Sequence, residues 1–270
     1  MFIRANKYDT GDYSEVDVIP LPDDVKREHG NKSRKRRKYL TRPEQQNLNE
    51  KNSFRWMRLT MQGNFEKGDY YFTLTYREGE IPAPEKVEDA KKDLINFLRK
   101  CRERAKKKNK DLKYLWVMEY ELDDDGNYLK RVHFHVVMNA VIGRDDIDEC
   151  WSRGAGKNRK LLGYVTTRKI LPSGDSGLEA IGGYFSKGKR WKKGKKMWNC
   201  SRNLIRPSKT KNDHKFTRRQ LEKMAKMNDL GMEIIQKKYS RYHIASIEFK
   251  YNELKGWHMY LKLWRKTADG

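Results

Sequence analysis

A chain of 270 residues is long enough for one sizeable core with extensions, and the lack of any fixed-period repeat excludes solenoids and propellers. Lys and Arg total 61 against 37 Asp and Glu, and the resulting charge of +24 asks for a polyanionic partner. Nucleic acid is the first candidate, although a ribosome-associated or anionic-membrane protein could carry the same charge.

Residues 1–40 are polar and end in the run Lys32-Ser33-Arg34-Lys35-Arg36-Arg37-Lys38, so they read as a disordered basic arm with nothing to bury. Pro43 suits the first position of a polar helix over residues 42–61. The aromatic and β-branched stretch from Tyr70 to Tyr76, between Gly68 and Gly79, predicts a strand. Over residues 84–107 the apolar positions Val87, Ala90, Leu94, Phe97 or Leu98, and Cys101 follow the helical period. Residues 112–121 and 128–139 read as a hairpin around Asp123-Asp124-Asp125-Gly126-Asn127, followed by a short helix over 145–151 and a strand over 161–170. This β-α-β-β-α-β order predicts an α+β fold, a ferredoxin-like antiparallel sheet with helices on one face.

Ser176-Gly177-Leu178-Glu179 has the form of a capping box and predicts a further helix ending at Gly188. Residues 187–206 are basic and interleaved with Trp191 and Trp198, a composition suited to stacking on single strands or to a solvated loop. A helix is expected over 214–230, stopping at Gly231, and a hairpin over 244–264. The expected organisation is the arm at 1–40, a main domain at 41–206 and an accessory helix and hairpin at 207–270. Cys101, Cys150 and Cys200 lie far apart, which speaks against a zinc ribbon or a disulfide framework. With no bilayer-length apolar run, a soluble cytoplasmic protein without membrane contact is expected.

The stretch Arg131-Val132-His133-Phe134-His135-Val136-Val137 puts two histidines on one face of a strand, where both imidazoles can meet one ion. Such a pair is also ordinary in a half-buried strand, so a third donor matters. With a two-residue loop, Asp125-Gly126, His133 would face Met118 and Glu119 would point to the other side of the sheet. With a three-residue loop, Asp124-Asp125-Gly126, Glu119 lies opposite Arg131 and diagonally beside His133. Glu121 shares that face farther along as a reserve ligand. Two imidazoles and a carboxylate leave positions open for phosphate oxygens and water, which suits Mg²⁺ or Mn²⁺. Structural zinc would call for a fourth donor, and none is evident. Tyr184 and Lys187 share a face of the expected helix. They could be an ordinary packing pair, yet Gly182-Gly183, which costs roughly 1–2 kcal/mol of helix stability, suits a close approach to that helix.

Phe72-Thr73-Leu74-Thr75-Tyr76, Glu119-Tyr120, His133-Phe134-His135 and Tyr184-Phe185-Ser186-Lys187, in this order and spacing, resemble the motif set of the HUH endonuclease superfamily. The pattern is most similar to the single-tyrosine rolling-circle replication initiators of plasmids and small single-stranded DNA phages. Cys150-Trp151, Gly163-Tyr164-Val165 and Ser201-Arg202 are similar to the phage type, and the likeness covers about residues 70–207. It implies that His133 and His135, with Glu119, hold the metal. It also implies that Tyr184 attacks single-stranded DNA at a replication origin, leaving a 5′-phosphotyrosine and a free 3′-hydroxyl, and that Lys187 assists. Gly188 stands where a second tyrosine would follow, so a partner subunit in a homodimer, or a freed hydroxyl, would complete strand transfer.

Arg131, Lys189, Arg190, Trp191, Lys192, Trp198 and Arg202 are candidate DNA contacts, most of them in the basic segment after the tyrosine helix. Gly154-Ala155-Gly156-Lys157 lacks the spacing and the Ser or Thr of a nucleotide-binding loop, so a host helicase would join a host DNA polymerase as partner. Three alternatives stay open: a conjugative relaxase or single-strand transposase of the same chemistry, a non-catalytic nucleic-acid-binding module, and a zinc-stabilised structural protein.

Overall fold

The computed structural model describes residues 1–23, 43–154, 156–186 and 198–266. In chain order the elements are β1 (Phe2–Asp9), β2 (Tyr13–Leu21), α1 (Pro43–Gln62), β3 (Tyr70–Tyr76), α2 (Ala90–Lys107), β4 (Tyr114–Leu122), β5 (Tyr128–Met138) and α3 (Arg144–Cys150). There follow β6 (Ser152–Arg153), β7 (Lys160–Leu161), β8 (Gly163–Lys169), α4 (Glu179–Ser186), β9 (Asn199–Cys200), β10 (Ser208–Asn212), α5 (Arg218–Ala225), α6 (Met232–Lys238), β11 (Tyr242–Asn252) and β12 (Gly256–Arg265). The fold is α+β with antiparallel sheets. It divides into two compact units, residues 64–173 with 177–204, and residues 1–63 with 174–176 and 205–270.

In the first of these units the strand order is β8-β3-β5-β4-β9, with every neighbouring pair antiparallel. The period of two sends Phe72, Leu74, Val132, Phe134 and Val136 to one face, where they bury against Leu94, Phe97 and Cys101 of α2 and Ile147 of α3. Trp151 completes this core edge-on to Phe97 and Phe134, with ring centroids 5.9 and 6.1 Å away, and its indole N–H donates to the Thr75 carbonyl at 2.9 Å. Thr73, Thr75, His133 and His135 therefore occupy the opposite face. The expected helix over 84–107 begins as a 3₁₀ turn, Pro84–Asp89, in which Lys86 leaves helical geometry (φ −107°, ψ 19°). The capping box expected at Ser176 does not open α4: Ser176 ends a 3₁₀ turn, Gly177 is left-handed (φ 54°), and the helix starts at Glu179. A Cβ at Gly183 would meet nothing within 4 Å among the described residues, which thus offer no close approach to that glycine.

Residues 2–21 correct the expectation of a loose arm. They form a hairpin inside a second sheet of order β10-β1-β2-β12-β11, in which β2 pairs with β12 (Val16 opposite Leu261, Val18 opposite Met259). Ile3, Ala5, Val16, Val18 and Leu261 bury against Phe216, Leu221, Met224 and Ile235. The polar residues that made this stretch read as an arm are neutralised by partners far along the chain. Arg4, 5% exposed, makes a two-pronged pair with Asp213 at 2.7 and 2.8 Å, and Glu15 and Asp17 meet Arg55 of α1 at 2.7 and 2.5 Å. The basic run at 32–38 lies outside the described residues.

The helix expected over 214–230 is the shorter α5, which ends at Ala225; Leu230 (φ 51°) and Gly231 (φ 71°) are left-handed and precede a further helix, α6, that the sequence reading did not include. Thus α1 and the accessory region share a unit with the N-terminal strands. Among the described residues no helix is long and apolar enough to cross a membrane.

Gly163 opens β8 opposite Tyr76, and a Cβ there would lie 1.9 Å from the Thr75 carbonyl oxygen and 2.8 Å from the Arg77 nitrogen. Backbone cannot yield as a side chain does. Gly163→Ala is expected to cost about 1–3 kcal/mol or more in urea denaturation, whereas Gly183→Ala, in open space, should gain up to about 1 kcal/mol.

Candidate active site

The hairpin of β4 and β5 builds the site. Its tip has the form expected of the three-residue loop: Gly126 is left-handed (φ 86°), Asp123 N–H donates to the Asn127 carbonyl, and Leu122 lies opposite Tyr128. Two irregularities then follow, between Leu122 and Glu121 and between Glu121 and Glu119, each taking one extra residue from β5. The register moves by two residues. Glu119 therefore lies directly opposite His133 and not, as the loop alone predicts, opposite Arg131. A shift of two preserves the face, so the carboxylate stays on the histidine side.

Glu119 Oε2 is 3.2 Å from His133 Nε2 and 3.1 Å from His135 Nε2, and the imidazole rings stand at 89° with centroids 4.9 Å apart. One donor atom from each of the three residues lies within 4.8 Å of the others, a group able to hold a metal ion. Glu121, paired across the hairpin with Lys130, is not among the converging donors. Lys130 Nζ donates to the second oxygen of Glu119 at 2.5 Å.

Each imidazole is oriented through its Nδ1. His133 Nδ1 is 2.9 Å from the Arg131 carbonyl, which can only accept, so Nδ1 carries a proton and the ring is fixed with Nε2 facing Glu119. His135 Nδ1 is 3.1 Å from the Thr73 hydroxyl and 3.4 Å from that of Tyr71, which leaves its Nε2 directed at the same oxygen. Burial pushes His135 below the ordinary imidazole value, and hydrogen bonds with His133 and then His135 hold Glu119 well below the usual carboxylate range. At neutral pH a neutral His135 thus faces an ionised carboxylate.

Helix α4 carries Tyr184 and lies on the histidine face. Phe185, 2% exposed, has its ring centroid 5.7 Å from both Tyr71 and His135. Lys187, Lys189, Arg190, Trp191 and Lys192 fall outside the described residues. Trp198 is half-buried beside β9, and Arg202 and Arg131 are exposed. Tyr71, Thr73, Lys130 and Phe185 belong to the site without having been assigned a role there from the sequence. For Tyr71 and Thr73 a signal existed, since they alternate with the buried Phe72 and Leu74 and so share the histidine face.

A family model of replication-associated proteins, the ORF2 type, matches residues 69–206, just over half of the chain. The chain belongs to this family. Its members are rolling-circle replication initiators, so membership brings a replication-associated role and a DNA partner. The match spans the sheet with the Glu-His-His group and the helix with Tyr184, and stops before β10. No curated protein and no solved structure matches the chain significantly.

Thr73→Val removes the hydroxyl that orients His135 while keeping the β-branched shape. It should weaken Mn²⁺ binding, read by calorimetry, by about 10–100-fold. Glu119→Gln should weaken it further, with the thermal transition of the chain retained in both variants.

Proposed function

We propose that this member of the ORF2-type replication-associated family is a metal-dependent nicking and strand-transfer enzyme that opens a replication origin through Tyr184. The observation that carries the reading is the packing of Phe185 on His135, which puts the helix of Tyr184 on the face where Glu119, His133 and His135 converge. The strand order β8-β3-β5-β4, reached through β-α-β-β-α-β connections, supports a ferredoxin-like nuclease core within the 41–206 region first outlined for it.

In this reading the Tyr184 hydroxyl attacks a phosphorus in single-stranded DNA. The new bond joins the phenolic oxygen to phosphorus, and the bond to the 3′ oxygen of the preceding nucleotide breaks. The phenol gives up its proton and the departing 3′ oxygen takes one. The products are a 5′-phosphotyrosine and a free 3′-hydroxyl. A free phenol has a pKa of ~10 and is a poor nucleophile at neutral pH. Lys187, three residues on in the sequence, offers a positive charge and a proton relay for it. Glu119, His133 and His135 would hold Mn²⁺ or Mg²⁺, and such an ion supplies Lewis-acid polarisation of the scissile phosphate. His133 and His135 contribute preset Nε2 donors, each ring fixed through its Nδ1.

The covalent link conserves the energy of the broken bond, so religation by a 3′-hydroxyl needs no ATP, and the free 3′ end primes a polymerase. Arg131, Lys189, Arg190, Trp191, Lys192, Trp198 and Arg202 serve as contacts for the single strand, with host helicase and polymerase as partners in the cytoplasm. A homodimer would supply the second nucleophile. Membership of a rolling-circle family favours a replication origin over the transfer origin of a relaxase or a transposon end.

Incubating the chain with labelled single-stranded oligonucleotides and Mn²⁺ should give a denaturant-resistant protein–DNA adduct. Tyr184→Phe should abolish the adduct while changing oligonucleotide affinity by less than about threefold, and chelation should abolish it in the unsubstituted chain. Adduct formation by the phenylalanine variant would sink the proposal.

A further inference from the structure

In the unit formed by the two ends of the chain, three lysines gather over an aromatic floor. Lys215 Nζ stands 3.7 Å above the ring of Tyr239, which is 5% exposed. Lys238 Nζ donates to the Lys215 carbonyl at 2.6 Å and lies 5.0 Å from the ring of Phe216, 3% exposed. Lys7 Nζ donates to the Tyr242 hydroxyl at 2.6 Å and is also bound by Asp9. Tyr239 and Tyr242 meet edge to face at 6.4 Å. Among the described residues Lys7 pairs with Asp9, whereas no ion pair joins Lys215 or Lys238 to a carboxylate.

Such crowding has a cost. Burial, and then the charges of Lys238 and Lys7, push Lys215 below the ordinary lysine value. A plain cover for Tyr239 and Phe216 would need no charge at all, and the repulsion is relieved when an anion sits among the three ammonium groups. Lysine ammoniums act as point charges, and a group of them fits a compact, fully charged anion, which in a nucleic acid is the backbone phosphate. The Tyr242 hydroxyl, which accepts from Lys7, keeps its own proton to donate to a phosphate oxygen. Thr210 of the exposed edge strand β10 lies opposite Lys7 and adds a second hydroxyl beside it.

We propose that Lys7, Lys215 and Lys238, with Tyr242, form a phosphate site through which this unit grips the backbone of DNA. The site uses no residue of the family-matched segment, and it rests on the family's DNA partner and not on Tyr184. Its binding is sequence-independent, as backbone contacts are.

The test is fluorescence anisotropy with the full chain, a labelled single-stranded oligonucleotide and its duplex, over a series of salt concentrations. The Lys215→Gln/Lys238→Gln double variant keeps the aliphatic stems and should bind roughly tenfold more weakly, with a slope of log K against log salt smaller by about 1.4 on the single strand or about 1.8 on the duplex. A loss on either probe supports the site and tells which form it holds. Lys215→Arg/Lys238→Arg should restore both affinity and slope, and Lys226→Gln, whose lysine pairs with Glu222 at 2.8 Å, should leave them unchanged. Native affinity and slope for the glutamine double variant on both probes would overturn the proposal and leave the lysines as covers for the two rings. Adduct formation at saturating oligonucleotide, read in the same samples, should persist in the double variant; its absence from the unsubstituted chain would count against Tyr184 and leave the phosphate site standing.

Discussion

The meeting of two imidazole nitrogens on one oxygen of Glu119 depends on how β4 is registered against β5. Side chains along a strand alternate strictly, so a slip of one residue anywhere between the hairpin tip and His133 would send Glu119 to the helix-covered face. Two irregularities, each adding one residue on β5, sum to a shift that keeps the face and moves the carboxylate from Arg131 to His133. One such irregularity alone would bury the carboxylate against Phe134 and Val136; none would leave it a diagonal neighbour. The distance from His133 Nε2, 3.2 Å, is the outcome of both.

Around that register the neighbouring elements supply orientation. The Arg131 carbonyl and the Thr73 hydroxyl each address an Nδ1, so both Nε2 atoms are presented before any ligand arrives. The core side of the sheet holds this arrangement from behind. Phe134, between the two histidines, is fully buried and locked edge-on to Trp151 and Trp116. The strand cannot rotate to hide its histidines without exposing that ring, which would forfeit roughly 2–3 kcal/mol of burial. Phe185 closes the apolar end of the site, and Lys130 balances the charge of the carboxylate at its rim.

Much of this unit was legible because it is built from local signals. The strand from Tyr70 to Tyr76, the apolar stripe from Ala90 to Cys101 and the glycine at 126 each declare themselves within a few residues of sequence. The histidine pair and Glu119 were also legible, down to the shared face. Their pairing was not, because residues that protrude from a ladder carry no composition of their own; Leu129 and the Arg131-Val132 step read like any strand edge. The start of α4 misled for a related reason: Ser176 and Glu179 have capping chemistry, but Gly177 adopts a backbone that separates them.

The other unit was hidden by distance along the chain. Phe2 to Leu21 alternates well enough for a hairpin, yet Arg4, Glu15 and Asp17 inside it suggested solvent until their partners, Asp213 and Arg55, were in place. An isolated two-stranded hairpin is marginal in water, and this one is flanked on both sides by strands from beyond residue 207, β10 on β1 and β12 on β2. The unit therefore closes only after the whole family-matched segment between has been made, and its contacts are among the most non-local in the chain. The segment matched by the family model, by contrast, draws its sheet from residues 70–200 alone. A local sheet carries the candidate chemistry and lies in the sequence between the two halves of the other; the Arg4–Asp213 pair, which disguised β1 in the sequence, helps join those halves, while Arg55 fixes α1 to β2 within the N-terminal one.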